Sequence, residues 1–262
     1  MCLILFAHRV VPGASLIVAA NRDEHFNRPA APAALWDDHP EILAGRDLSG
    51  GGTWLGVSTR ARFAALTNFR DPPTHRADAP TRGELVKGFL AGQMSARTYV
   101  EGIAREAVPY NGFCLLVGDG RDLFFYSNRA GEPMAVEPGI HGLPNQLLDT
   151  PWPKVVKGRS WLEKLTRVPF DVDEHLALLS DTTPAADSDL PKRGRAIERE
   201  RRHSAIRILN PDYGTRCSTV LRIATDGTID FAERSFNPAG AIAGDVRYQV
   251  KMNSSVAQSG TV

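Results

Sequence analysis

The sequence predicts an α+β fold in which antiparallel sheets are sandwiched between outer layers of helix. Three observations carry this. Strand-like segments come in neighbouring pairs joined by turn residues, and helix-like segments fall in blocks rather than alternating singly with strands. The opening strand is apolar on both sides: Cys2, Ile4, Phe6 and His8 point one way, Leu3, Leu5 and Ala7 the other. A strand of that kind belongs to a sheet covered on both faces.

The first pair runs from Cys2 to His8 and from Ser15 to Asn21 across Val11-Pro12-Gly13. "RFAALTNF", Arg62 to Phe69, reads as a single strand. The second pair, Phe113 to Val117 and Leu123 to Tyr126, flanks "GDGR", and the third, Ser218 to Ile223 and Ile229 to Phe236, flanks "TDG". Asp-Gly supplies the positive φ that tight hairpin connections require. Helices fit Thr81 to Leu90, Ser95 to Ala107, Trp152 to Leu165 and Val172 to Ser180, with Thr81 and Glu84 spaced as a capping box. Thr182 to Pro191 reads as a linker-like loop. Residues 1–250 form one domain on this reading, and residues 251–262, small and polar, a disordered tail.

The chain has 262 residues, of which 42% are hydrophobic and 23% charged, an ordinary globular composition. A net charge of +1 argues against a dedicated nucleic-acid or membrane-surface binder. The apolar start lacks the basic flank and small-residue cleavage site of a signal peptide and is too short to span a bilayer. A cytoplasmic protein without stable membrane insertion is the expectation. Cys2, Cys114 and Cys217 are odd in number and lack CxxC spacing, so free thiols are expected rather than a disulfide framework or zinc ribbon. The seven histidines show no metal-ligand spacing, and no metal site is expected.

Cys2 is where chemistry could lie. Removal of Met1, which the small Cys2 side chain favours, would leave one residue carrying both a thiol and a free α-amine. With reference pKa values of about 8.5 and about 7.7 to 8.0, the amine can take the thiol's proton without a separate histidine. The other reading is a small core hydrophobe. The second strand runs into "NRDEH", where period-two geometry puts Asn21 and Asp23 on one face and Arg22 on the other. If the first two strands pair, Asn21 or Asp23 could reach Cys2; the alternative is a hydrated strand end.

"MCLILFAH" followed by "AANRDEHFNRP", "GGTWLGV", "LTNFRDP", "GLPNQLLDTPWPKV" and "YGTRCSTVL" resembles the NRDE family, also called the transport and Golgi organisation family. The blocks run in order from Cys2 to Val220, so the resemblance covers most of the chain. It implies a four-layer αββα sandwich of two antiparallel sheets with outer helices, like that of the N-terminal nucleophile hydrolases. Carried over from the choloylglycine hydrolase branch, it makes Cys2 the nucleophile and Arg22 and Asp23 its orienting partners. That branch spaces its Arg and Asp by two, whereas these are adjacent, so both face Cys2 only if the strand bulges or ends. The resemblance also puts Asn68 near the nucleophile and Asn145 in an oxyanion hole. Arg216 would hold a substrate carboxylate or steady the pocket.

"SGGGTW" has no following Lys-Ser/Thr and is not a phosphate loop; its glycines permit close backbone approach, and Trp54 is expected on the pocket wall. Lys192 to His203 is basic with interspersed acids, a solvated helix face or a holder of anionic groups.

The leading expectation is an amidohydrolase-like enzyme, with Asn21 and Trp54 touching a small acyl amide or thioester. The alternative is a small-molecule binder that holds haem or an acyl-thioester lipid without turnover, as the resemblance allows. Lacking CxxCH, such a chain would hold haem non-covalently. A third reading, the glutaminase half of an amidotransferase, needs a synthetase partner for which the chain has no room. No cofactor is required for hydrolysis.

Overall fold

The computed structural model describes residues 2–70, 76–191 and 196–252. Its strands form two antiparallel sheets. The first contains β1 (Leu3–Val11), β2 (Ala14–His25), β10 (Gly139–Leu143), β11 (Tyr213–Ala224), β12 (Thr228–Phe236) and β13 (Ile242–Lys251), ordered β10-β1-β2-β11-β12-β13. The second runs in chain order through β3 (Ala30–Leu35), β4 (Ile42–Asp47), β5 (Leu55–Ser58), β6 (Arg62–Asn68), β7 (Phe113–Gly118), β8 (Leu123–Ser127) and β9 (Ala130–Ala135).

The double-sided pattern of β1 becomes two cores. Ile4 and Phe6 join Val18 and Leu221 against Leu43, Val57 and Leu116 of the facing sheet. Leu3, Leu5 and Ala7 pack outward with Ile17 and Val220 against α3 (Pro153–Leu165) and α4 (Val172–Leu179). On the far side α1 (Gly83–Ala91) and α2 (Ala96–Glu106) cover the second sheet through Leu85, Phe89 and Val100. The layers are therefore αββα, as expected. Pro12 and Gly13 make the β1–β2 turn, Gly13 adopting φ +77°, so the expected hairpin forms with Leu3 opposite Asn21.

Two details differ from expectation. Thr81 does not cap α1: Arg82 is the N-cap with no side-chain cap bond, and Glu84 pairs instead with Lys87 at 3.1 Å. The chain enters the helix late because Gly83 abuts Gly52 of the preceding loop. Lys251 belongs to β13, and the Met252 N–H donates to the Gly227 carbonyl at 2.8 Å. The rest of the expected tail, like Lys192 to Arg195 of the basic segment, lies outside the described residues. Among the described residues no helix is long and apolar enough to cross a membrane.

Candidate active site

At one end of the sandwich β1 begins, β2 and β6 end and β11 begins. Two cavities, of about 580 Å³ and about 810 Å³, meet there at Cys2, Asp23, Glu24, Asn68 and Arg82. Trp54, Arg22, Arg216, Cys217 and Glu233 line the smaller; Asn145, His203 and Tyr213 line the larger.

Cys2 is half-buried, with its Sγ 3.8 Å from the Asp23 carbonyl oxygen. Burial pushes its thiol up; Asp23 adds to that, and Arg22 works against it. A neutral thiol of this kind needs a base before it attacks. Met1 lies outside the described residues.

β2 keeps strict alternation to its end, so Arg22 and Asp23 do not share a face, and it is Arg22 that joins Cys2 between the sheets. Its Nη2 lies 3.5 Å from Asp47 Oδ2, which also accepts Arg28 Nε at 2.7 Å. Burial works to raise Asp47, but Arg28 and the Gly50 and Ser49 N–H groups hold its carboxyl below the ordinary range. Asp23 turns its side chain toward α3. There Oδ1 accepts Thr215 Oγ1 at 2.6 Å, and Oδ2 lies 3.8 Å from the buried Lys154 Nζ. Its approach to Cys2 is by backbone.

The expectation that Asn21 binds substrate is corrected. It is fully buried, faces the helix layer and lines neither cavity; Nδ2 donates to the Leu179 and Ile206 carbonyls at 2.9 and 3.0 Å, and Oδ1 accepts Ser218 Oγ at 2.6 Å. Period two put Asn21 and Asp23 together but did not say which face was open. The bulge needed to reconcile adjacent residues lies in the neighbouring strand: Thr215 pairs with Asp23 and Cys217 with Arg22, leaving Arg216 extra. That slip turns both Arg216 and Cys217 toward the smaller cavity. Arg216 Nη1 then donates to the His25 and Arg28 carbonyls at 2.9 and 2.8 Å, bracing the chain after β2.

Asn68 and Asn145 come together from 77 residues apart, with Asn145 Nδ2 donating to the Asn68 carbonyl at 2.6 Å. Both line the larger cavity with Cys2, while Trp54 lies on the smaller. Cys217 is a second thiol beside the site, but burial and the nearby Glu233 push it well above its ordinary value; burial raises Glu233 in turn. Among the described residues no group of three His, Cys, Asp or Glu side chains is placed to hold a metal.

Sequence reasoning passed over Glu24, Arg82, Lys154 and Glu233. Glu24 and Lys154 stand inside motifs quoted for the resemblance, "NRDE" and "PWPKV". Arg82 and Glu233 carry no local signal, since only the tertiary fold brings them to the cavities.

The sequence pattern of the Transport and Golgi organisation 2 family matches residues 1–238. The chain belongs to this family. It is 40% identical over 257 residues to the Bos taurus Transport and Golgi organization protein 2 homolog, covering 90% of this chain and 93% of that protein. The Homo sapiens homolog is 37% identical over 261 residues, with the same coverage. Among solved structures, a variant of the conjugated bile acid hydrolase from Clostridium perfringens matches 98% of this chain and 100% of that one, with a TM-score of 0.50 at 10% identity. The fold of this family member is thus that of the N-terminal nucleophile hydrolases.

Proposed function

We propose that the protein is an N-terminal-nucleophile-type hydrolase acting on a small acyl amide or thioester, with Cys2, freed of Met1, as the reacting residue. The observation that carries this is the position of Cys2 where two cavities meet, which leaves room for the two halves of a substrate on either side of a reacting carbonyl. The α-amine takes the thiol proton as sulfur bonds to the carbonyl carbon. As the tetrahedral adduct collapses, the C–N or C–S bond breaks and the leaving group takes that proton. Water, deprotonated by the same amine, then releases the acid and restores the thiol. Asn145 spends one amide hydrogen on Asn68 and keeps a second for the developing oxyanion, and Arg22 offsets negative charge on sulfur. The reaction needs a reduced Cys2, in keeping with a cytoplasmic setting.

A second reading is ligand binding without turnover, of haem or an acyl-thioester lipid. The larger cavity favours it. His203 has its pKa pushed down to about 4 by burial and by the cations Lys154, Arg199 and Arg202, so it offers a neutral imidazole at physiological pH. Arg199 and Arg202 suit carboxylate groups on such a ligand.

Three forms separate the readings: the processed protein, Cys2→Ala, and a form with an uncleavable residue ahead of Cys2. Each is incubated with a panel of acyl amides and thioesters and followed by product release and intact mass. Hydrolysis predicts loss of turnover by at least about 10²-fold in both altered forms, and a trapped acyl adduct only on the processed one. Unchanged turnover in the extended form overturns the mechanism. Haem binding that survives Cys2→Ala and fails in His203→Ala supports the second reading.

A further inference from the structure

Gly50, Gly51 and Gly52 have no role in the chemistry above, but their surroundings do. A Cβ on Gly52 would lie 2.4 Å from the Gly83 carbonyl carbon, and one on Gly50 2.8 Å from Thr81 Oγ1. Only bare backbone fits so close. The loop between β4 and β5 therefore seats the start of α1 by direct contact on both sides of Arg82, fixing where that side chain begins. From there the guanidinium reaches the junction of the two cavities, beside Cys2 and Asn68.

Arg82 differs from the other arginines around the smaller cavity. Arg22 and Arg28 share Asp47; Arg46 and Arg76 each pair with a carboxylate, Asp38 and Asp78; and Arg216 is spent on backbone carbonyls. Among the described residues no carboxylate pairs with Arg82. Among the described residues its one side-chain hydrogen bond runs from Nη1 to the Gly112 carbonyl at 2.9 Å, and none of them takes the Nε–Nη2 edge. Burial lowers its pKa, and Glu24 and Cys2 are the groups that oppose this. Glu24 itself accepts the His25 N–H at 2.8 Å, and the neutral Cys2 thiol brings no charge. A half-buried guanidinium with a free two-donor edge facing a cavity is matched by an anion with two oxygens.

We propose that Arg82 selects the ligand of this site, taking the carboxylate or phosphate of an acyl compound beside Cys2, so that the preferred substrates are acyl conjugates carrying an anionic group near the scissile bond. The proposal rests on the hydrolase reading only for the position of the carbonyl; anion recognition itself needs no turnover.

The test measures binding to the full-length Cys2→Ala protein, in which nothing is consumed, by calorimetry at low and high salt. The probes are N-octanoylglycine, its neutral carboxamide N-octanoylglycinamide, and N-octanoylaminomethylphosphonate. At least one anionic probe is expected to bind at least about tenfold tighter than the carboxamide, less so at high salt, and the tighter of the two names the anion. Adding Arg82→Gln should bring the anionic probes to the level of the carboxamide without moving the carboxamide, and Arg82→Lys should restore part of the gap. A merely structural role would weaken all three probes alike. Equal binding of the probes, binding of none of them, or a preference that survives Arg82→Gln overturns the proposal. A preference seen here in a protein whose processed form shows no turnover would overturn the hydrolase reading and leave Arg82's role standing.

Discussion

Asn21 and Asp23 leave β2 toward α3 and α4, while Arg22 and Glu24 leave it toward the space between the sheets, and the two pairs meet opposite surroundings. On the helix side the polar groups are matched within the protein: Asn21 to Ser218, Leu179 and Ile206, Asp23 to Thr215 and Lys154. On the cavity side Arg22 shares its carboxylate, Asp47, with Arg28, and Glu24 and Cys2 border open volume. Four consecutive residues thus divide between holding the fold and facing the ligand. Matched buried polar groups contribute to stability and uniqueness, and groups left with spare capacity at a cavity are available for recognition.

The division breaks most visibly if the helix-side ion pair is not holding the sheet to its helices. Lys154 and Asp23 have side chains 1% and 0% exposed. Lys154→Met, which removes the cation from beside a buried carboxylate, should cost about 3–5 kcal/mol in urea denaturation. The double variant with Asp23→Asn should recover most of that loss. A cost below about 1 kcal/mol would show that the pair carries little of the fold.

Next in size is the contrast between neighbours. Asn21→Ala strips partners from two backbone carbonyls and the Ser218 hydroxyl, an expected loss of about 2–3 kcal/mol. Arg22→Gln, on the cavity side, should cost less, about 1 kcal/mol, because Asp47 keeps Arg28 and the Ser49 and Gly50 N–H groups, while impairing turnover. Equal stability losses would erase the distinction between the faces.

Much of this was legible in the sequence, and most of what was not has a physical reason. The interior strands β1, β2, β6, β7, β8, β11 and β12 announce themselves because strands with neighbours on both sides are apolar and β-rich, whereas β4 and β5, equally interior, are interrupted by Gly45 and Gly56. The strands that went unread include all four sheet edges, β3, β9, β10 and β13. Pro32 in β3 and Pro133 in β9 are tolerated because an edge has no second ladder to supply, and β13 is mostly exposed with Asp245 and Arg247 along it. Edge strands lack the signal that interior strands carry. At the site, alternation correctly separated Asn21 and Asp23 from Arg22, but which face was open depended on β11 and α3, more than a hundred residues away. The bulge at Arg216 and the arrival of Arg82 from the start of α1, the helix that covers the other sheet, are likewise properties of the assembled sandwich, with no periodicity to reveal them.

The smallest expected effect asks whether the two faces are electrically independent. His203 borders the larger cavity, edge-on to Tyr213, yet one of the cations that depress it is Lys154 from the helix side, with Arg199 and Arg202 from its own segment. In the unfolded chain its imidazole takes a proton near the ordinary 6.5, whereas in the fold it waits until about 4. Above pH 6.5 both states are neutral and the residue contributes no pH dependence. As pH falls from 6.5 toward 4 the unfolded state binds the proton first, so stability declines across that window. The ring is partly exposed, and screening by solvent limits the decline to about 1 kcal/mol. Carboxylates titrate nearby in pH, so the useful quantity is the difference between the protein and His203→Phe, which keeps an aromatic edge against Tyr213. That difference, from urea midpoints at pH 7, 5.5 and 4.5, should shift in favour of the variant as the pH drops, and less so when Lys154→Met is added to both. A difference that is flat with pH would mean that burial and the cations together leave the ring at its ordinary pKa, and a slope that Lys154→Met does not change would mean that the helix face exerts no field on the cavity.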